Sequence, residues 1–449
     1  MAGNTLDTID RGETIHPGVA RGGTSTDNAA GTETRASWHG RTVRSVGPPK
    51  RGTPWGLFAV LLLVGGAIAA FFVVPRGGSQ EPGFEIKVLP EELSITAGES
   101  QTLFVEFQRT QFEDEIDVRV GPPPDDVTIE LAEGSESSDT RTYTVNVHLN
   151  APPTTTELLV EARGGDLQRS RTVPLRVKSV PGWLPDTPEG FEESGPKKRA
   201  AGRIYYERIR RQIPGELPVD FVLVDEPGEV PFYIMANKAW NGLFAAFAEE
   251  VADFRDPLRA KEDPGWDLEQ ARANPLLPAT NLTVVEANRF GRWLAGKYAD
   301  LPTHDEWDIA AGYRRIRHDP ADQEFLLFTN ASAAAVGGKR LPVDRVSADK
   351  SVYGCRDMAG NGYEWTRSIF YNQGRELDEG VPIEDVSPLF GDIDSVIYRG
   401  QSFAAPEPLT FADLTRQITK EPRMNPISLS SEDIGFRIVI RPPAVRSSD

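Results

Sequence analysis

Few residues of this 449-residue chain have side chains suited to redox or nucleophilic chemistry. Cys355 is the only cysteine, so neither an intrachain disulfide nor a pair of thiolates can form. Only two of the five histidines, His304 and His318, lie beyond residue 203, and no motif pairs either of them with a serine nucleophile. We expect Cys355 to be a small buried hydrophobic residue, with a free reactive thiol as the alternative. We expect His304 to be a polar residue at the surface or at the start of a helix.

One apolar segment determines where any such chemistry would take place. Residues 55–74 form a run of 20 residues without a charge, preceded by 54 mostly polar residues. At a rise of about 1.5 Å per residue, a helix of this length matches the hydrocarbon thickness of a bilayer. The run is longer than the apolar core of a signal peptide, which is the alternative. We therefore predict one transmembrane helix within residues 54–75.

The charges that flank this run predict its orientation. Arg41, Arg44, Lys50 and Arg51 precede it, whereas only Arg76 follows it closely. Positive residues stay on the cytoplasmic side, so we predict a single-pass cell membrane protein with a cytoplasmic N-terminus. The C-terminal domains would then be exoplasmic, in the periplasm or at the cell surface.

Charge and composition separate the two sides of the predicted helix. Residues 1–53 have almost no large apolar side chains and are predicted to be a disordered cytoplasmic tail. The net charge of the chain is −18, and because the tail is slightly basic, the remainder carries about −20. An excess of negative charge this large argues against a nucleic-acid partner.

Residues 84–180 show the period of two that is typical of strands. Leu103, Val105 and Phe107, for example, alternate with polar residues, and Gly/Pro-rich turn signals separate several such runs. Seven or eight short strands in a segment of this length predict an all-β immunoglobulin-like sandwich. Nothing in the segment indicates chemistry, so a spacer is favoured over an adhesive or partner-docking surface.

The rest of the chain has little regular periodicity. Residues 181–202 are rich in Pro, Gly, Glu and Lys and are predicted to be a linker. In residues 203–443 the helical stretches are few; in one of them Ala287, Phe290 and Leu294 share a face. Long Gly/Pro-rich loops interrupt these stretches, which is typical of an α+β domain with a high loop content.

Five short segments in this last region occur in an order that points to a family. They are PFYIM at 231–235, LPTHDEW at 301–307, YGCRDMAGNGYEWT at 353–366, RGQSF at 399–403 and GFR at 435–437. The set resembles the formylglycine-generating enzyme family, also called sulfatase-modifying factors. The resemblance covers roughly half of the chain and implies a C-type-lectin-like fold for residues 203–443.

The resemblance also implies where oxidase chemistry would require ligands. Enzymes of the family oxidise a substrate cysteine with copper held by two thiolates, five residues apart, shortly after the segment that matches 399–403. Here Ala405 and Thr410 stand at those positions, and neither is a soft ligand for Cu(I). A second branch, the sulfoxide synthases, binds iron through three histidines, which this region lacks. We therefore expect no copper and no oxidase activity.

These substitutions favour a non-catalytic member of the family. On this interpretation the lectin-fold head binds a protein, peptide or glycan outside the membrane. A divergent enzyme that uses the same cleft is one alternative, and a structural component of the envelope is another.

A structural calcium site is implied by the same resemblance. The family's pattern falls on Asp357, Gly360, Gly362 and Glu364, and two carboxylates with two backbone carbonyls suit a hard cation. The alternative is that both carboxylates only cap turns or pair with arginines. A second family calcium site would begin at Asn330, but the acidic loop that completes it is replaced, so we expect that site to be lost.

Bulky and charged residues of the same segments are expected to hold the domain together. Arg399 and Arg437 are expected to pair with carboxylates such as Glu306 or Glu364. Three aromatic side chains are expected to bury large apolar areas: Trp307, Trp365 and Phe403.

Overall fold

A computed structural model describes residues 81–444 of the protein, apart from residues 135, 136, 138, 188, 189, 258, 315–327 and 371–394. The predicted tail, the predicted transmembrane helix at 54–75 and His318 lie outside the described residues. Within the described ranges, no helix is long and apolar enough to cross a membrane. The membrane anchor therefore stays a prediction.

Eight strands between residues 83 and 178 form two four-stranded sheets around one apolar core. The strands are β1 (Gly83–Leu89), β2 (Leu93–Thr96), β3 (Ser100–Thr110), β4 (Asp117–Gly121), β5 (Val127–Leu131), β6 (Thr140–Val147), β7 (Thr154–Gly164) and β8 (Leu167–Lys178). One sheet has the order β1-β3-β6-β5 and the other β2-β8-β7-β4. Only β2 and β8 pair in parallel; the other neighbours are antiparallel. The predicted all-β region is confirmed, and its immunoglobulin-like character stays a prediction.

Adjacent residues of β7 show how the sequence sets the two faces of a sheet. Leu158 and Val160 are fully buried, whereas Leu159 between them is 39% exposed. Successive side chains of a strand point to opposite faces, so a slip of one residue would expose the whole apolar set. The pattern of burial therefore fixes the register of this strand.

In the described residues, twelve further strands belong to the C-terminal domain, which we call the head. They are β9 (Glu192–Glu193), β10 (Lys197–Ala200), β11 (Arg203–Tyr206), β12 (Arg208–Arg211), β13 (Val219–Val224), β14 (Phe232–Met235), β15 (Ala299–Asp300), β16 (Gly362–Phe370), β17 (Ser395–Gln401), β18 (Met424–Pro426), β19 (Ile434–Gly435) and β20 (Val439–Ile440). They form a six-stranded sheet (β15-β20-β14-β13-β12-β9), a four-stranded sheet (β18-β17-β16-β19) and the pair β10-β11. The head also has five described α-helices: α1 (Asn241–Glu250), α2 (Leu268–Ala273), α3 (Val284–Ala295), α4 (His304–Ala310) and α5 (Phe411–Thr419).

The segment predicted as a linker, residues 181–202, contributes β9 and β10 to the head. Its apolar residues explain this: Phe191 is buried against Phe221, and the Trp183 ring stacks 6.1 Å from the Tyr233 ring. Two isolated aromatic residues in a polar, Pro-rich segment leave no periodicity for sequence reasoning to detect.

The six-stranded sheet divides the head into two apolar clusters. On β13, Phe221 and Leu223 belong to one cluster, and Val222 and Val224 belong to the other. Both faces of the central strands are therefore covered, which explains why β13 reads as an almost continuous apolar run.

Residues that favour helix ends lie at both ends of helix α3. Thr283 and Glu286 form a capping box at its start, and Gly296 follows its end with a φ of 60°. The predicted apolar face is confirmed, since Ala287, Phe290 and Leu294 are all fully buried.

Leu158→Ala and Leu159→Ala form a matched pair that tests the register of β7. The first substitution empties a buried site and should lower the free energy of unfolding by about 2–5 kcal/mol. The second truncates a partly exposed side chain and should change it by less than about 1 kcal/mol. Urea titration followed by circular dichroism measures both values; equal losses would contradict the register.

Candidate functional site

The carboxylate of Glu364 lies at the centre of the head, and its side chain is fully buried. Its Oε1 atom accepts hydrogen bonds from Lys238 Nζ at 2.6 Å and from Arg437 Nη2 at 2.8 Å. Its Oε2 atom accepts from Arg437 Nε at 2.5 Å and from Trp307 Nε1 at 3.0 Å. Four donors therefore satisfy both oxygens, and the predicted pairing of Arg437 with Glu364 is confirmed.

These four residues come from distant parts of the chain. Glu364 is on β16, Trp307 is on α4, Lys238 follows β14, and Arg437 lies between β19 and β20. Arg437 also donates to the backbone carbonyl of Met235 at 3.0 Å. The cluster thus joins the six-stranded sheet, the four-stranded sheet and α4 at one buried point.

The charges of this cluster depend on one another. Burial alone would raise the pKa of Glu364, but Arg437 and Lys238 together lower it to about 2. The carboxylate is therefore ionised at neutral pH. Removing one partner from a buried ion pair leaves an uncompensated charge, which typically costs about 3–5 kcal/mol.

Two further buried aspartates lie beside this cluster. Asp357 Oδ1 accepts from Arg345 Nη2 at 2.5 Å, and Asp349 Oδ2 accepts from the backbone N–H of Ala359 at 2.7 Å. The second oxygen of each aspartate has no hydrogen-bond partner among the described residues. Burial and the neighbouring Asp357 raise the pKa of Asp349 to about 6. The surroundings of Asp349 therefore favour its neutral form over its ionised form.

Three of the four residues predicted to bind calcium have other partners. The carboxylate of Glu364 pairs with two cations, Asp357 pairs with Arg345, and the carbonyl of Gly362 accepts from Lys238 Nζ at 2.8 Å. A Cβ on Gly360 would lie 2.8 Å from the carbonyl oxygen of Ala335, so close packing requires glycine there.

A calcium ion needs six to eight oxygen ligands, and here the anionic oxygens already face cationic side chains. No group of three or more His, Cys, Asp or Glu residues in the described ranges is arranged to hold a metal. The donor set therefore does not fit calcium as it stands, and the side-chain contacts agree with the alternative of pairing with basic residues. Calcium binding itself stays a prediction.

The positions aligned with the copper-binding cysteines have structural roles. Thr410 caps α5, where its Oγ1 atom accepts from the backbone N–H of Asp413 at 3.1 Å. The backbone carbonyl of Ala405 accepts from Gly337 N at 2.7 Å. Cys355 is fully buried in an apolar cluster, which confirms its expected role as a small hydrophobic residue.

Other expected contacts are confirmed only in part. Trp307 and Trp365 are fully buried, but Phe403 is half-buried. Arg399 pairs with Asp308 at 2.9 Å, a carboxylate other than the two named as examples, Glu306 and Glu364. Asp308 lies two residues after Glu306 on α4, and residues at that spacing point in different directions.

A cleft of about 280 Å³ lies beside the start of α4. His304, on its wall, has Nδ1 2.8 Å from Ser368 Oγ, and the backbone N–H of His304 donates to the same oxygen at 3.0 Å. His304 Nε2 is 3.6 Å from Asp305 Oδ1. The expectation of a polar residue at a helix start is confirmed for His304, and sequence reasoning missed its contact with Ser368.

Residues 228–442 match the family model described as the sulfatase-modifying factor enzyme 1-like domain. The C-terminal domain belongs to this family. The match includes Lys238, Trp307, Glu364 and Arg437, so the whole buried cluster lies within the sulfatase-modifying factor domain. Strands β9, β12 and β13 precede the matched residues and belong to the six-stranded sheet, whereas β10 and β11 form a separate pair.

Solved structures are only weakly similar to the chain. Domains 4 and 5 of the S-layer protein SbsC are 18% identical, with a TM-score of 0.18, over 22% of this chain and 54% of that one. An endo-fucoidan hydrolase of glycoside hydrolase family 107 is 11% identical, with a TM-score of 0.21, over 32% of this chain and 24% of that one. The chain thus spans about half the length of the SbsC fragment. Scores this low carry no functional inference, and no curated protein matches the chain significantly.

Asp349→Asn should make the stability of the head less dependent on pH. The pKa of Asp349 is about 6 in the fold against an ordinary 3.8, so the wild type loses stability as the pH rises through 6. The neutral variant keeps the acceptor for Ala359 N–H and should be more stable than the wild type at pH 8, by up to about 3 kcal/mol. At pH 4 the two proteins should unfold alike.

Urea unfolding at both pH values measures this difference. Asp344→Asn is the matched control, because it removes the same charge from an exposed position nearby. If Asp349→Asn raised the free energy of unfolding equally at pH 4 and pH 8, the result would contradict a raised pKa for the buried Asp349 carboxyl.

Proposed function

We propose that the sulfatase-modifying factor domain of this chain is a non-catalytic binding module. The observation that carries the proposal is the replacement of both copper-binding cysteines by Ala405 and Thr410. The single thiol, Cys355, is fully buried, and burial raises its pKa, which disfavours the thiolate that a metal needs. The domain keeps the buried scaffold of the family without the soft ligands that Cu(I) requires.

The cleft beside α4 is the surface we assign to the ligand. Polar residues of both charges line it: Thr303, His304, Ser368, Arg314, Arg367, Glu229, Asp305 and Glu306. Convergent polar groups in a concave site are what orients a ligand and gives specificity. This chemistry supports a polar ligand, namely a peptide segment of a protein partner or a glycan.

The Ser368–His304 contact supports binding better than catalysis. The hydroxyl oxygen of Ser368 already accepts the backbone N–H of His304, at the start of α4. The geometry therefore favours a hydroxyl that completes the helix start over an activated nucleophile.

The proposed cellular arrangement combines this head with the predicted anchor. The two-sheet region would act as a spacer between the membrane helix at 54–75 and the head. The negative charge of the exoplasmic part supports a soluble, well-hydrated surface rather than one that binds nucleic acid.

The purified chain should neither bind stoichiometric Cu(I) nor oxidise a cysteine-containing peptide. Copper content after dialysis and oxygen consumption with the peptide measure these two properties. Cys355→Ser is the control, because any copper held by the single thiol would disappear in that variant. Sustained turnover by the wild type would refute the non-catalytic assignment.

A further inference from the structure

Lys238 places its ammonium between two of the residues predicted to bind calcium. Its Nζ atom donates to the carbonyl oxygen of Gly362 at 2.8 Å and to Glu364 Oε1 at 2.6 Å. The side chains of Lys238 and Glu364 both have 0% exposure. An amino group of the chain itself thus contacts a backbone carbonyl and a carboxylate, the two kinds of oxygen that a calcium site would use.

The buried charges around this ammonium are balanced. The carboxylates of Asp349, Asp357 and Glu364 are accompanied by three basic side chains, Lys238, Arg345 and Arg437. Arg345 is 15% exposed at its side chain, and the ammonium and the Arg437 guanidinium are fully buried. A divalent cation added to this cluster would leave an excess of positive charge in a region with little access to water, which is unfavourable.

The position of Lys238 in the fold gives the contact a structural role. Lys238 follows β14 of the six-stranded sheet, whereas Gly362 and Glu364 belong to β16 of the four-stranded sheet. The ammonium therefore links the six-stranded and four-stranded sheets through two hydrogen bonds, one to the carbonyl oxygen of Gly362 and one to Glu364 Oε1. A metal ion bound by the same oxygens would hold only the β16 side, because Lys238 supplies no ligand.

We propose that the Lys238 ammonium replaces calcium at this position, so that the head is held together without a metal ion. The role of Lys238 is independent of the proposed binding function and concerns how the domain is stabilised. This replacement explains why the residues of a calcium-site pattern are present while their carboxylates pair with basic side chains.

The melting temperature of the full chain, in millimolar CaCl2 and in EDTA, tests this inference. The wild type should melt at the same temperature in both. Lys238→Gln should lower the melting temperature by about 6–20 °C, since breaking a buried pair costs about 3–5 kcal/mol in a domain of this size. Lys198→Gln is the matched control, because its side chain is 45% exposed; it should shift the temperature by less than about 2 °C.

Two results would overturn the proposal. One is a calcium-dependent rise in the wild-type melting temperature that Asp357→Asn abolishes, because this would place the ion at the predicted ligands. The other is a Lys238→Gln protein that melts like the wild type. If Lys238→Gln does not fold, equilibrium dialysis of the wild type and of Asp357→Asn against radioactive calcium still decides: equal binding is expected, and one additional ion in the wild type would contradict the proposal.

Discussion

Glu364 carries a negative charge in a position without access to solvent, and the head has to supply partners for it. The cost of burying an isolated carboxylate is several kcal/mol, so such a group persists only when it is paired and fully hydrogen-bonded. Lys238, Arg437 and the indole of Trp307 meet this need from three different segments. Correct packing of α4, the loop after β14 and the segment between β19 and β20 is therefore coupled to one carboxylate.

This constraint also bears on what the domain does. The residues that would bind calcium are part of the same ionic cluster, and the positions that would bind copper instead cap α5 or accept a backbone hydrogen bond. If Lys238 takes the place of calcium as proposed, protein groups alone would maintain the fold of the sulfatase-modifying factor domain. The proposed binding module would combine the scaffold of an enzyme family with positions that lack the copper ligands.

Local patterns in the sequence were enough to predict the local structure. Alternating apolar residues such as Leu103, Val105 and Phe107 predicted the sheets, and the spacing of Phe290 and Leu294 predicted the buried face of α3. The partners of buried charges were harder to predict, because they depend on tertiary packing. Arg437 with Glu364 was predicted, but Lys238 is 126 residues from Glu364 and lies in no pattern that points to it. The contact of His304 with Ser368, 64 residues away, was missed for the same reason.

A double-mutant cycle on Glu364 and Arg437 tests most directly whether this ion pair holds the head together. Urea unfolding would be measured for the wild type, Glu364→Gln, Arg437→Gln and the double variant. The account predicts that each single substitution costs about 3–5 kcal/mol and that the double variant loses less than the sum by more than about 1 kcal/mol. Strictly additive losses, or single losses below about 1 kcal/mol, would contradict it.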